Sequence, residues 1–180
     1  MGIEDKNDYI NLKKELRFYS LDYKDTQVIN IAQKTIDYAY ENFKKYEHIY
    51  EGYDIEFEAE ITDIALCIDA HLQKNRRNKK SDNIKNFVLN TVNTEKYKKG
   101  RSGFIYLLYI LKMDDNLRQI AIEKNDFWNT SRIVFQLLFA LYKRKIKGFS
   151  KEAEILIKKF PKETELKKYA NKYIEQEVKW

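Results

Sequence analysis

Glycine and proline are scarce in this chain of 180 residues, which has five Gly and one Pro, against an average usage of roughly 7% and 5%. Sheets of many short strands need turns rich in both, so a β-sandwich or barrel is excluded. A single cysteine, Cys67, excludes an intramolecular disulfide and a thiolate-rich zinc site. It also suits a reducing compartment, and a cytoplasmic location is expected. The longest apolar run, Phe104–Leu111, has eight residues, too few to span a membrane. The opening MGIEDKNDYINLKKEL contains no apolar stretch, so no secretory signal is expected. Two histidines occur, His48 and His71. Neither stands in an HExxH pair, and neither follows a Glu by three residues. The dinucleotide, P-loop and nucleophile-elbow glycine patterns are missing as well. No catalytic residue, cofactor or metal ligand is expected.

What the chain does have is helical spacing. Val28, Ala32, Thr35, Ala39, Phe43, Tyr46 and Tyr50 step by threes and fours from a start at Asp25 or Thr26. Phe57, Ile61, Ile64, Ile68 and Leu72 repeat the pattern after Gly52, and Ile84, Phe87, Val88 and Val92 repeat it after Ser81. The run FIYLLYIL reads as a buried helix, with Ser102 as its cap, because nothing nearby offers a partner strand. Shorter patterns follow around Leu117–Ala121, after Thr130, after Ser150 and after Pro161. The expectation is an all-α domain over residues 1–180, with about eight or nine helices and a sub-division near 74–102. Its layout is either an irregular helical bundle or the helix-pair stacking of HEAT-like solenoids, which the region from residue 103 to 178 resembles. Phe104, Leu107, Leu108, Ile110 and Leu111, with Val134, Leu137, Leu138 and Leu141, are the expected core.

Charge is unevenly spread. Residues 1–70 hold sixteen acids and eight bases, a net of −8, whereas residues 71–180 hold twelve acids and 26 bases, a net of +14. Between Tyr46 and Gln73 there are eight acids and no Lys or Arg. Glu56, Glu60 and Asp63 share one helix flank, and like charges at that spacing repel. Counter-charge from the basic half, a solvated face or a basic partner would each relieve that repulsion. Glu51, Asp54, Glu56, Glu60 and Asp63 are therefore the candidate partner-binding residues. The basic alternative is a nucleic-acid surface made of Arg76, Arg77, Lys79 and Lys80 with Lys98, Lys99 and Arg101. A third basic group, Lys143–Lys147, falls where a helix end favours cations.

A short, Lys- and Asn-rich, motif-free, all-helical chain with a local acidic stretch resembles the bacterial immunity proteins of toxin–immunity systems, such as those of contact-dependent growth inhibition. That resemblance is one of character. It implies a non-enzymatic, cytoplasmic protein that binds a cognate toxin, often a basic nuclease, and neutralises it by covering the active site. The other reading is a helical nucleic-acid-binding protein.

Overall fold

The apolar spacing closes into helices almost everywhere it occurs. The computed structural model describes residues 6–45, 53–74, 81–123 and 127–180. Among them are nine α-helices and no strand. They are α1 (Lys6–Tyr19), α2 (Asp25–Lys45), α3 (Tyr53–Lys74), α4 (Asp82–Asn93), α5 (Ser102–Ile110), α6 (Asp114–Glu123), α7 (Ser131–Arg144), α8 (Ser150–Lys159) and α9 (Thr164–Glu177). Packing divides the chain into two compact units, Met1–Leu107 and Leu108–Trp180.

In the first unit α3 packs against α1, α2, the turn Ser20–Asp22 and the 3-10 segment Glu95–Arg101. Its stripe Phe57, Ile61, Ile64, Ile68 and Leu72 is buried throughout. Val28, Ala32, Thr35 and Ala39 of α2 are buried too. The expected continuation of that stripe at Tyr46 and Tyr50 lies outside the described residues, as does the Phe43 side chain. Ser81 caps α4 by accepting from the Ile84 N–H, and Ile84, Phe87, Val88 and Val92 face inward. Helix α1 has no counterpart in the sequence reading; Leu16 is its buried apolar contact.

Glycine is used where the backbone comes closest. A Cβ on Gly103 would stand 3.0 Å from the Ala65 Cβ, and one on Gly100 would stand 3.1 Å from the Ile61 Cδ1. These two positions let the start of α5 lie directly on α3. Ser102 was expected to cap α5. It instead has helical angles (φ −55°, ψ −42°) and is buried, because the 3-10 segment runs straight into the helix. Of the expected core, Phe104, Leu107, Leu108, Leu111, Val134, Leu137, Leu138 and Leu141 are buried. Ile110 is the exception: it is only half-buried, at the last position of α5.

The second unit holds two helix pairs of matching proportions. α6 and α8 have ten residues each, and α7 and α9 have fourteen each. α9 packs on both α8 and α7, and Tyr169 sets its ring edge-on to Phe135 and Phe139, at 5.5 Å from each. Arg144 at the end of α7 grips Asp114 at the start of α6 with two hydrogen bonds of 2.6 and 2.7 Å. Each charge thereby sits at the helix end its sign favours.

The scarcity of glycine leaves a mark on the helix stops. Every non-glycine residue with positive φ among those described is a lysine: Lys98 (41°), Lys112 (57°) and Lys145 (57°). Two of them end helices in the same way. Lys112 N–H bonds the Tyr109 carbonyl while Met113 N–H bonds Leu108; Lys145 N–H bonds Tyr142 while Ile146 N–H bonds Leu141. This is the left-handed stop in which glycine is the usual residue.

Phe149, before α8, supplies no side-chain cap. Glu177 of α9 instead holds the chain leading into the helix, accepting from the N–H groups of Gly148 and Phe149, the Ser150 hydroxyl and the Tyr173 hydroxyl. Burial alone would raise its pKa, but these donors together hold it below the usual carboxylate value.

Two outcomes follow. Lys145→Gly removes a left-handed β-carbon and should stabilise the protein by about 1 kcal/mol, after the extra freedom of glycine in the unfolded chain is subtracted. Denaturant titration measures it, and the midpoint should rise. The depressed pKa of Glu177 makes its contribution fully present above the unfolded-state value, so it should be lost as pH falls below about 5. Glu177→Gln should therefore lower stability at pH 7 and flatten the acid limb of a stability–pH curve.

Candidate functional site

The acidic flank of α3 meets α1, not solvent alone. Lys13 and Arg17 are one turn apart on α1, and Glu60 and Asp63 are one turn apart on α3. The Lys13 ammonium lies 2.5 Å from Glu60, both half-buried, and Arg17 lies 3.2 Å from Asp63, both more open. The Tyr9 hydroxyl is beside Glu60, and its ring stacks on Tyr38 of α2 at 4.5 Å. Burial first, and the Glu60 charge second, push the Tyr9 pKa up, so the phenol stays neutral. Cys67, on the same helix, has its thiol pushed up by burial as well, which disfavours the thiolate.

Counter-charge for this flank thus comes from α1, within the acidic half of the sequence. Glu51 lies outside the described residues. Asp54 and Glu56 are on the first turn of α3, with side chains outside those described. Glu58 is buried, and Asp69, also buried, accepts from Gln73 at 2.8 Å.

Three large apolar side chains are exposed on α1 and α3. Phe18 is 64% exposed, Leu66 is 55% and Ile10 is 39%. Ile10, Lys14, Arg17 and Phe18 line a shallow depression on α1, and Leu66 follows Asp63 by three residues on α3. An exposed aromatic and two further exposed apolar side chains on packed helices are the composition of a contact surface.

His71 belongs to the interior. It is fully buried at the end of α3. Nδ1 faces the Ser20 carbonyl at 2.6 Å and Nε2 faces Asp25 Oδ1 at 2.8 Å. The ring ties the end of α3 to the start of α2. His48 lies outside the described residues.

The basic surface fares unevenly. Arg76, Arg77, Lys79 and Lys80 lie outside the described residues. Lys98 and Lys99 are exposed. Arg101 corrects the expectation: it is 4% exposed, with Nε donating to the Lys98 carbonyl at 2.8 Å. The close approach at Gly100 and Gly103 carries it against α3, away from any phosphate. Tyr97 and Phe104 are buried and Tyr106 is half-buried, so these rings offer no stacking platform.

One feature escaped the sequence reading. A groove between α2 and α4 is flanked by Thr26, Asn30 and Gln33 on one side and Asn83, Asn86 and Asn90 on the other, over Ile29 and Phe87. The spacing of the three asparagines, three then four, was visible in the sequence. A polar stripe at that spacing is also what any solvated helix face shows.

Among the described residues no group of three or more His, Cys, Asp or Glu is placed to hold a metal ion, and no helix is long and apolar enough to cross a membrane. Compared with known family models, curated proteins and solved structures, the chain matches none.

The two ion pairs should respond differently to truncation. Lys13→Ala leaves the half-buried Glu60 without its cation and should cost about 1–2 kcal/mol. Arg17→Ala breaks an exposed pair and should stay within about 0.5 kcal/mol. Chemical denaturation of both variants reads the difference.

Proposed function

We propose that this chain is a non-enzymatic protein-binding module, an inhibitor of the immunity type that covers the active site of a basic, nuclease-type toxin domain. The observation that supports this reading is the α1–α3 face, where Phe18, Leu66 and Ile10 are exposed on the two helices joined by an ion pair that is itself exposed. An exposed pair is worth about 1 kcal/mol or less. Asp63 can therefore exchange Arg17 for a partner's cation at little cost. Burying Phe18 and Leu66 would contribute about 1.5–3 kcal/mol each, which makes them the anchors. Glu51, Asp54 and Glu56 add negative field that steers a basic partner and speeds its association. Glu60, held by Lys13 and half-buried, would contribute through that field more than through direct contact. The site of action is the cytoplasm, and the mechanism needs no cofactor.

The nucleic-acid reading keeps one observation in its favour, the exposure of Lys98 and Lys99 next to each other. It would join them to Arg76, Arg77, Lys79 and Lys80.

Capture from native lysate separates the two readings. The tagged protein should retain a protein partner after nuclease treatment. Phe18→Asp should lose that partner with an unchanged thermal midpoint, and Asp63→Lys should slow its association and flatten the salt dependence. Recovery of nucleic acid alone, abolished by nuclease and by Lys98→Glu with Lys99→Glu, would overturn the proposal in favour of nucleic acid.

A further inference from the structure

We infer that the α7–α9 face of the second unit is a binding site for single-stranded nucleic acid, whose bases stack on part-open rings while its phosphates meet the lysines beside them. The site is separate from the α1–α3 face and does not rest on the function proposed above.

Charge singles out this unit. Residues 108–180 hold sixteen bases and ten acids, whereas residues 1–107 hold eighteen of each. The whole net charge of +6 therefore belongs to the unit Leu108–Trp180. A polyanion is the partner that such a balance suits.

Aromatic rings single out one face of it. Phe135, Phe139 and Tyr142 follow one another turn by turn along α7, and Tyr169 of α9 sets its ring against all three, at 5.5, 5.5 and 6.0 Å. Tyr109 of α5 joins at Phe139, at 5.5 Å, and Trp180 joins at Tyr142, at 6.2 Å. All six rings are only half-buried. Core rings such as Tyr97 and Phe104 of the first unit are buried outright. A connected set of part-open rings is the raw material of a stacking surface.

Two lysines lie over that set. The Lys143 ammonium is 5.8 Å from the centres of both Phe139 and Tyr142, and the Lys172 ammonium is 5.4 Å from the centre of Tyr169. Both lysines are exposed, and neither forms an ion pair among the described residues. An exposed ammonium over a ring occupies a face that no core side chain covers. Its flexible four-carbon stem lets it swing aside for a base and reach a phosphate instead. The attraction of cations to a helix end accounts for Arg144, which grips Asp114. It does not account for Lys172, which stands in the middle of α9. Glu165, one turn before Tyr169, is already paired with Lys168 at 3.4 Å, so it does not cancel Lys172.

Rings and cations together select the occupant. Rings alone would suit an apolar partner, and cations alone would suit any polyanion. An unpaired strand presents bases and phosphates in alternation and uses both. A duplex keeps its base faces stacked inside, out of reach of these rings. An acidic polypeptide would satisfy the lysines and leave the rings without a partner.

The test is fluorescence anisotropy of the full chain with labelled oligothymidylate and oligouridylate of about fifteen nucleotides. Both should bind, and a duplex of the same length should bind more weakly. Lys143→Ala with Lys172→Ala should weaken binding and lower the slope of log affinity against log salt by about 1.4, at roughly 0.7 per phosphate contact. Both side chains are exposed, so that variant should keep its thermal midpoint. Tyr142→Leu keeps an apolar side chain but removes a ring, and should weaken binding about fivefold or more. No binding of either oligonucleotide, equal affinity for the duplex, or an unchanged salt slope in the lysine variant would overturn the inference. Polyglutamate that competes as well as the oligonucleotides would assign the face to acidic polypeptides and overturn it too. So would binding that is lost in Lys98→Glu with Lys99→Glu and kept in the lysine variant, which would place nucleic acid on the first unit. Phe18→Asp should leave oligonucleotide binding unchanged, so failure here and failure of the lysate capture are separate results.

Discussion

A carboxylate taken out of water must be met by a cation or by donors, and α3 carries Glu58, Glu60 and Asp69 wholly or partly into the interior of the first unit. Much of what surrounds α3 answers that demand. α1 contributes Lys13 and Arg17 along one flank. Gln73, one turn on, donates to Asp69. At the far end buried His71 is placed with its ring nitrogens against the Ser20 carbonyl and Asp25. The order of contacts around α3 is thus set by polar satisfaction as much as by its apolar stripe. The stripe alone would let α3 rotate or slide by a turn; the paired charges fix its register against α1 and α2.

The apolar framework was legible because burial periodicity is local. Val28–Ala32–Thr35–Ala39 and Phe57–Ile61–Ile64–Ile68–Leu72 lie inside single helices, and a reader of the sequence needs no tertiary knowledge to see them. α1 was not legible, because its packing depends on one buried Leu16 and on lysines whose partners stand more than forty residues away. The acidic stretch likewise looked uncompensated for want of a nearby base; its bases came from across a helix interface. Arg101 misled for a related reason. A basic neighbourhood of Lys96, Lys98 and Lys99 reads as surface, and only the close approach at two glycines turns that arginine inward. The asparagine stripe was in plain view but carried no periodic signal that distinguishes a ligand from water.

Two kinds of surface emerge from one helical scaffold. The α1–α3 face combines exposed apolar side chains with charge, and the proposed basic partner would meet it at a rate that depends on salt. The α2–α4 groove is neutral and amide-lined. Both lie within the first unit, and each leaves the buried stripes of its helices untouched. Contact chemistry can vary there without disturbing the packing beneath it.

The cap of α8 has a bearing on how the chain is made. The helix begins at Ser150, while the carboxylate that accepts from the two N–H groups leading into it, and from the Ser150 hydroxyl, is Glu177, on the helix that follows. A ribosome emits residues in order, so α8 leaves the exit tunnel with the donors that lead into it unpaired. It stays so until the last turn of α9 has also emerged and folded back. The first unit meets no such delay, since α1 is already outside when the acids of α3 arrive. Synthesis therefore imposes a direction on assembly: the half with the α1–α3 face is completed while the other still waits for one glutamate.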